Sequence, residues 1–382
     1  MSFEPGTALE FFAGIGLARM GLERAGWRVI FANDIDPLKK DMHAGHWGED
    51  PTYLLGSVFD LNPQDIPSAE MAWASFPCVD LSLAGNRAGL RGHSSSAYWG
   101  FHDALNSLGD RRPPIVVLEN VPGLMTTHAG RDMASILAGL ADLGYEFDLI
   151  QLSAEAFVPQ SRPRVFVIAG KASAEARFRQ PEVRSAALRP TSITRFISEH
   201  SSLPWRLLDT LTPPQRSESL DNVLEDFPDE ADVWWDDVGV ARLIDRMSPK
   251  HRARVTRLAD AAILTHATVY RRVRPTGYMA EVRSDGIAGC LRTARGGSSR
   301  QFVLRLGRGN VRARAMTAIE YGRLQGAADF KIRVPPNQAI SGFGDAVCVP
   351  VVDWLMRSLV SQLRPGRAAC VAVSRQLELV DA

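Results

Sequence analysis

A strand, a glycine turn, a helix, a second strand and an acidic residue follow one another within residues 8–34. Residues 8–12 are apolar and strand-like, residues 13–16 (AGIG) form a tight turn into an amphipathic helix, and the strand at 29–32 leads to Asp34. Glycines after a first strand, with an acid about 20 residues later, are typical of α/β folds that hold an adenosine-type cofactor. This order constrains the fold more than any other stretch.

Apolar runs with the length of buried strands recur through the first 170 residues, and a helical pattern lies among them. The strand-like runs are 54–58, 72–78, 115–118, 147–152 and 165–169, and the helical pattern covers 130–143. Strands that alternate with helices predict an α/β protein with a doubly wound, mostly parallel sheet of Rossmann-like type.

The alternation stops after residue 171. Residues 171–310 are rich in Pro, Ser and Arg, and their apolar runs are short. Regular structure returns near Thr317, which begins a capping box that opens a helix. We therefore predict one domain formed by 1–170 plus 311–382, and a second, smaller and irregular domain at 171–310.

Charge is unevenly distributed, although the formal net charge of the chain is only +1. Residues 217–240 hold nine acidic groups and no Lys or Arg, whereas residues 241–315 hold seventeen Lys and Arg against four Asp and Glu. A concentration of this kind indicates a surface that binds a polyanion.

Composition excludes several other classes of protein. The chain has 382 residues, of which 45% are hydrophobic and 23% charged, with no signal-peptide pattern and no apolar run of membrane-spanning length. The four cysteines show no metal-ligand spacing, so reduced thiols are expected and a metal site is not. We predict a cytoplasmic protein without a membrane segment.

Residues with reactive or charged side chains follow two neighbouring strands. Cys78 ends the run Ala-Trp-Ala-Ser-Phe-Pro-Cys, and Glu119 ends the next strand. Arg162 and Arg164 occupy alternate positions of an extended segment and should project to one side. The carboxyl ends of parallel strands meet at one edge, so these groups should share a crevice with the glycine turn.

This set of groups suits methylation of a cytosine at C5. A thiolate that adds to C6 turns C5 into a nucleophilic carbon, and an acid at N3 neutralises the charge that develops on the ring. Residues 83–96, rich in Gly, Ser and Arg, suggest a lid beside the thiol.

The chain resembles the DNA (cytosine-5)-methyltransferase family, which uses S-adenosylmethionine (AdoMet). The matching stretches, in the order of the family, are FAGIG at 12–16, FPC at 76–78, ENV at 119–121, QSRPR at 160–164, RLQG at 323–326 and GFGDAV at 342–347. Each pattern alone is weak evidence for the family, but six patterns in the same order are specific to it.

The resemblance implies roles for the catalytic residues. Cys78 would attack C6, Glu119 would contact N3 and the exocyclic amine, Arg164 would contact O2, and Arg162 would brace the site.

The resemblance also implies AdoMet as the cofactor, with Phe12 stacked on the adenine and Asp34 on the ribose. The expected cofactor-binding residues are Phe12, Gly14, Ile15, Gly16, Asp34, Ile35, Ser57, Pro77, Asp345 and Ala346.

Double-stranded DNA is the implied substrate, and the segment between the QSRPR and RLQG motifs is the implied target-recognition domain. The expected DNA-binding residues are Ser82, Arg87, Gln160, Arg295, Gly296, Gly297, Ser298 and Arg300. The implied protein is a monomer on nucleoid DNA, either the modification enzyme that partners a restriction endonuclease or an orphan methylase.

Three positions depart from the pattern of the family. Val79 follows the cysteine where a polar residue is common, Ser57 replaces an acid near the third strand, and Asp345 stands where Asn is usual. An ionised Asp345 would face the cofactor carboxylate, so its partner is the cofactor ammonium or the local contacts differ.

Three other functions stay open on the residues alone. An RNA cytosine methyltransferase would use the same fold, but the C-F-T signature of the tRNA branch is missing. A non-catalytic DNA-binding relative does not need the intact cysteine, glutamate and arginines. A nicotinamide oxidoreductase would need the fuller G-x-G-x-x-G pattern.

Overall fold

A seven-stranded sheet forms the centre of the protein. The computed structural model describes residues 6–77, 97–172, 187–209, 211–274, 277–293 and 300–364. The strands are β1 (Gly6–Phe11), β2 (Trp27–Asp34), β3 (Tyr53–Leu55), β4 (Met71–Ala74), β5 (Ile115–Asn120), β6 (Tyr145–Ser153) and β7 (Pro163–Lys171). Their order is β3-β2-β1-β4-β5-β7-β6, which confirms the predicted doubly wound α/β class.

One strand, β7, runs against the others within this sheet. All pairs from β3 to β5 are parallel, but β7 runs antiparallel to both β5 and β6. The link between β6 and β7, residues 154–162, contains only a single 3-10 turn. A parallel pair needs a crossover of a dozen or more residues, so this short link favours the reversal.

Eleven helices accompany the strands in the described part of the chain. They are α1 (Leu17–Arg24), α2 (Pro37–Trp47), α3 (Ala97–Ser107), α4 (Arg131–Asp142), α5 (Thr191–Glu199), α6 (Leu220–Val223), α7 (Asp237–Asp245), α8 (Pro249–Ala259), α9 (Ala318–Leu324), α10 (Pro336–Asp345) and α11 (Val349–Ser358). Thr317 and Glu320 form the expected capping box before α9.

Two apolar cores cover the two faces of the large sheet. Leu9, Ala72 and Val116 face the core that α3 and α4 complete, whereas their neighbours Ala8 and Trp73 face the core of α1 and α11. Successive side chains of a strand point to opposite faces, so the continuous apolar runs of the sequence fill both cores.

The smaller domain is more regular than its sequence suggests. It contains an antiparallel sheet of β8 (Thr265–Arg274), β9 (Gly277–Arg283), β10 (Gln301–Gly307) and β11 (Asn310–Ala315), in the order β11-β10-β8-β9. Ala267, Val269 and Ala280 face inward, toward a core shared with α7 and α8. These inward residues are small, which makes the period-two hydrophobic pattern weak.

Part of the segment predicted to belong to the smaller domain packs against β6 of the large sheet instead. Trp205 bridges to Phe147 of β6, and the two rings lie 5.2 Å apart. Arg189 forms a buried ion pair with Asp148 of the same strand. Residues 187–209 thus cover the edge of the large sheet, and β11 extends past residue 310. We propose a smaller domain of about residues 228–315.

One stretch, Pro336–Leu363, is long and apolar enough to cross a membrane by length and composition. By this criterion, the prediction that no apolar run reaches membrane-spanning length was wrong. In the structure the stretch comprises α10, α11 and a 3-10 turn, and 67% of its most apolar window is buried within the protein. We therefore interpret it as core helices.

The turn between β1 and α1 depends on left-handed backbone conformations. Gly14 and Gly16 have φ of 57° and 82°, and Phe12 has φ of 58°, which is strained for a bulky residue. A Cβ on Gly16 would lie 2.5 Å from Trp47 Nε1 and 2.9 Å from His43 Cδ2. Gly16 is therefore required for its conformation and for the close packing of α2.

We predict that Gly16→Ala destabilises the protein more than Gly26→Ala. Both glycines have φ of 82°, but a Cβ on Gly26 would meet nothing within 4 Å. Gly26→Ala should cost about 1 kcal/mol for its conformation alone, and Gly16→Ala about 2 kcal/mol more for overpacking. Urea unfolding of the two variants measures the difference, and equal losses would contradict the crowding at Gly16.

Candidate active site

A cleft of about 1770 Å³ opens at the carboxyl ends of β1, β2, β4 and β5. The large sheet contributes the glycine turn and the strand ends, and the smaller sheet contributes Tyr270, Arg271 and Arg272. Residues 289–293, from the link before β10, complete the wall. The cleft thus lies between the two sheets, at the edge where α/β proteins bind their ligands.

Asp34 shapes the glycine turn. Its Oδ2 accepts a hydrogen bond from Gly14 N at 2.8 Å, and its Oδ1 accepts one from Asp36 N at 2.9 Å. The Tyr53 hydroxyl donates to Gly14 O at 3.0 Å. Asp34 is only 6% exposed but lines the cleft, so its remaining lone pairs face the space where a ribose hydroxyl is expected.

Apolar side chains line one end of the cleft. Phe12 and Phe76 lie edge to face with their centroids 6.4 Å apart, and Pro77 follows them along the wall. Ile35 is 68% exposed, although it is a large aliphatic residue. An exposed apolar surface of this kind fits a flat ring such as adenine.

Glu10 lies beneath the glycine turn. It is 1% exposed, its Oε1 accepts a hydrogen bond from Arg19 N at 3.1 Å, and its Oε2 has no partner among the described residues. Burial raises the pKa of Glu10 to about 8, although the charge of Arg19 opposes the shift. The carboxyl is therefore mostly protonated at neutral pH.

The strand ends bring Glu119 and Arg164 together. Arg164 Nε lies 2.8 Å from Glu119 Oε1, and both side chains are largely buried at the cleft wall. Asn120 Nδ2 donates to Phe76 O at 3.0 Å, which ties the end of β5 to the segment that follows β4. Cys78, which comes directly after Pro77, lies outside the described residues.

Arg162 braces the site rather than facing its centre. Its guanidinium is 3% exposed and donates to Leu291 O at 3.0 Å, to Gly344 O at 3.3 Å and to Ala346 O. Burial, and after it the charge of Arg164, lowers the pKa of Arg162 to about 10. We therefore regard Arg162 as a positioning residue, since both of its Nη atoms donate to carbonyl groups of the protein.

Gln160, predicted to contact DNA, is fully buried instead. Its Nε2 donates to Leu324 O at 2.7 Å, and its Oε1 accepts from Leu291 N at 3.3 Å. The amide thus joins the RLQG motif to the link before β10. Its donors and acceptor are engaged within the protein, so we assign Gln160 a structural role.

Only some of the other residues predicted to bind the cofactor line the cleft with their side chains. The side chain of Ile15 is buried in the core, so only its backbone can face a ligand. Ser57 is not among the residues that line the cleft, and its hydroxyl accepts from Phe59 N at 3.3 Å. Asp345 and Ala346 do line the cleft.

Several predicted residues lie outside the described part of the chain. They are Cys78, Ser82, Arg87, Arg295, Gly296, Gly297 and Ser298, together with the predicted lid at 83–96.

Cys290 is a cleft residue that none of the sequence motifs includes. Its thiol lies 3.7 Å from Arg162 Nη1. Burial alone would raise the pKa of this thiol, but the charges of Arg162, Arg164 and Arg292 lower it overall. No local sequence pattern identifies Cys290 as a cleft residue. Arg162 and Arg164 are more than 100 residues away in the sequence, and the nearby Arg292 forms no recognisable motif with it.

Arg271 and Arg300 form a basic cluster beside the cleft. Gln301 pairs with Tyr270, so the adjoining Arg300 and Arg271 are neighbours at the end of the β8–β10 ladder. Burial, followed by the charges of Arg246 and Arg300, lowers the pKa of Arg271. The Nε atoms of Arg271 and Arg300 are buried without a hydrogen-bond partner among the described residues. Like charges placed together favour an anion between them.

Comparison with known proteins decides the family. A family model described as C-5 cytosine-specific DNA methylase matches residues 6–361. The chain belongs to this family. It is a methyltransferase, and the strand ends, glycine turn and cleft described above all lie within the matched range.

Curated relatives extend over most of the enzyme. The Type II methyltransferase M.NgoBI of Neisseria gonorrhoeae is 25% identical over 94% of this chain and 94% of its own length. M.HaeII of Haemophilus aegyptius is 25% identical over 98% of both chains, and M.NlaX of Neisseria lactamica is 27% identical over 94% of this chain and 97% of its own.

Solved structures share the fold of the enzyme. The Dnmt2 methyltransferase of S. pombe superposes with a TM-score of 0.58 at 17% identity, covering 94% of this chain and 99% of that chain. The methyltransferase EhMeth of Entamoeba histolytica gives a TM-score of 0.60 at 16% identity, covering 95% and 100%. At these identities the likeness concerns the fold alone.

We predict that Glu10→Gln removes a pH dependence of stability. The pKa of Glu10 is about 8 in the folded protein and 4.5 ordinarily, so the folded state binds the extra proton between these values. Stability should therefore fall as pH rises from about 4.5 to 8, by up to about 1.4 kcal/mol per pH unit.

The measurement is urea unfolding between pH 5 and 8.5. Glu10→Gln should diverge from the unsubstituted protein as pH rises and become the more stable of the two. Glu49→Gln, at an exposed carboxylate, is the control and should follow the unsubstituted protein. Parallel pH curves for Glu10→Gln would contradict the assignment.

Proposed function

We propose that the enzyme transfers a methyl group from AdoMet to C5 of a cytosine in double-stranded DNA. The observation that carries this proposal is the Glu119–Arg164 pair, 2.8 Å apart, at the cleft wall beside the segment that leads to Cys78. The family of the chain agrees with this chemistry.

The cleft fits AdoMet in shape and polarity. The backbone turn at Gly14 approaches the cleft closely, Phe12 and Ile35 offer an apolar surface for the adenine, and Asp34 offers a carboxylate for the ribose. When bound there, AdoMet supplies an electrophilic methyl group.

The residues of the chain would activate the base. The Cys78 thiolate adds to C6 of the cytosine, and Glu119 donates a hydrogen bond at N3, so that C5 becomes the nucleophile that takes up the methyl group. A base then takes the proton from C5, the electron pair of that C–H bond restores the C5–C6 double bond, and the thiolate leaves C6. Arg164 orients Glu119 and contacts O2, and Arg162 holds the wall behind them.

The cytosine must leave the duplex to reach these groups. Unstacking and unpairing a base costs a few kcal/mol, which contacts from Glu119 and Arg164 to its hydrogen-bonding edge would offset. We propose that the smaller domain binds the DNA, with Arg271 and Arg300 on phosphates.

The relatives suggest a biological setting. Three Type II methyltransferases match the chain over nearly its full length. We propose that the enzyme acts as a monomer on DNA in the cytoplasm, either as the partner of a restriction endonuclease or as an orphan methylase.

A mechanism-based trap tests the nucleophile. DNA with 5-fluorocytosine at the target should form a covalent complex with the enzyme and AdoMet, because fluorine blocks the final elimination from C5. Cys78→Ser should form no such complex and lose nearly all turnover while it still binds DNA.

Cys290→Ser is the matched control, since this thiol lines the same cleft. It should still be trapped at Cys78, as peptide mapping would reveal. A trapped peptide that contains Cys290 would contradict the proposal. Methyl transfer to an RNA of the same sequence, but not to the DNA, would favour an RNA methyltransferase instead.

We predict that the basic cluster contributes to DNA affinity through phosphates. The double variant Arg271→Gln and Arg300→Gln should flatten the plot of log affinity against log salt concentration by about one unit per lost contact. Arg28→Gln is the control and should leave the slope unchanged, because this exposed arginine lies near the amino end of β2, away from the cleft at the carboxyl ends of the strands. An unchanged slope in the double variant would assign the phosphate contacts to other residues.

A further inference from the structure

Lys39 lies inside the candidate cofactor site, although no motif includes it. It belongs to α2, lines the cleft, and its aliphatic chain runs beside the glycine turn, with Cδ 3.8 Å from the position of a Cβ on Gly14. Its Nζ lies 3.1 Å from Asp345 Oδ2. The ammonium therefore bridges the space between the turn and the end of α10.

Asp345 is fixed on its other side. Its Oδ1 accepts a hydrogen bond from the Thr293 hydroxyl at 2.7 Å. The backbone behind it is packed tightly, because a Cβ on Gly344 would lie 2.3 Å from Arg292 C. The carboxylate is thus held in place while it remains 38% exposed to the cleft.

The charges around Lys39 keep it ionised. Burial alone would lower the pKa of Lys39, but the carboxylates of Asp34, Asp345 and Asp36 outweigh that effect and raise it. The pair therefore presents one positive and one negative group, 3.1 Å apart, to the same part of the cleft.

This spacing matches an α-amino acid. Its ammonium nitrogen and carboxylate carbon are separated by one carbon, at about 2.5 Å. A zwitterion laid against the pair places its carboxylate on the ammonium and its ammonium on the carboxylate, so both charge-assisted hydrogen bonds form at once. Phe12 and Ile35 line the same cleft and offer an apolar surface that suits the ring of the same ligand.

We propose that Lys39 and Asp345 form a paired recognition site for the amino-acid end of the cofactor, with Lys39 on the carboxylate and Asp345 on the ammonium. The proposal rests on the proposed function, since it assumes that an AdoMet-type ligand occupies the cleft. It explains how an aspartate is accommodated at position 345: Lys39 neutralises the repulsion between Asp345 and the cofactor carboxylate.

A purely structural role for Lys39 and Asp345 would affect ligand binding differently from recognition of the zwitterion. If Lys39 and Asp345 only held α2 against α10, their loss would disturb the glycine turn and weaken every ligand of the cleft. Recognition of the zwitterion instead affects only ligands that carry the amino-acid end.

The experiment compares S-adenosylhomocysteine with 5′-methylthioadenosine, which keeps the adenosine but lacks the amino-acid end. Calorimetric titration, with competition for the weaker ligand, would use Lys39→Met, Asp345→Asn, the double variant and the unsubstituted enzyme. Each single variant should lose about tenfold or more in affinity for S-adenosylhomocysteine and less than about twofold for 5′-methylthioadenosine. The double variant should lose less than the product of the two single losses, because the pair acts as a unit.

Lys40→Met is the matched control, since Lys40 neighbours Lys39 on α2 but does not line the cleft, and it should bind both ligands normally. Unchanged affinity for S-adenosylhomocysteine in the single variants, or equal losses for both ligands, would overturn the proposal. If the unsubstituted enzyme bound neither ligand, the proposed function itself would be contradicted, and this inference with it.

Discussion

The buried guanidinium of Arg162 joins the three segments on which the site depends. It comes from the link before β7. It donates to Leu291 O in the link before β10, and to Gly344 O and Ala346 O at the end of α10. Ala346 O also accepts from Gln325 Nε2 at 3.2 Å, so loss of the guanidinium would cost about 1–3 kcal/mol for each buried carbonyl that is left unsatisfied. The wall that carries Glu119 and Arg164 is therefore held against the end of α10, which carries Asp345.

Local patterns predicted the elements that local physics determines. The alternation of strands and helices, the capping box at Thr317 and the ends of β1 and β5 follow from apolar periodicity and backbone preferences, and the structure has them. The position of Glu119 at a strand end beside the segment leading to Cys78 could be predicted for the same reason. The reversal of β7 could not, because it depends on the length of a link rather than on the strands.

Contacts between residues that are distant in the sequence could not be predicted. Alternate spacing suggested that Arg162 and Arg164 project together, yet β7 begins only at Pro163, so Arg162 precedes the strand and has other partners. Gln160 belongs to the same motif but is engaged 164 residues away, at Leu324. Lys39 and Asp345 likewise meet across more than 300 residues. These pairings follow from tertiary packing, which no single stretch encodes.

The two ends of the cleft differ in charge, and this difference suits two unlike ligands. Asp34, Asp36 and Asp345 surround a single lysine at the cofactor end, while Arg164, Arg271 and other guanidiniums line the side toward the smaller sheet. A cofactor with a sulfonium group is attracted to the acidic end, and a polyanion to the basic one. Protonated Glu10 limits this field beneath the turn, because a further buried negative charge there would be costly. The separation of charge thus favours binding of the methylated cofactor and of DNA at adjacent places without competition between them.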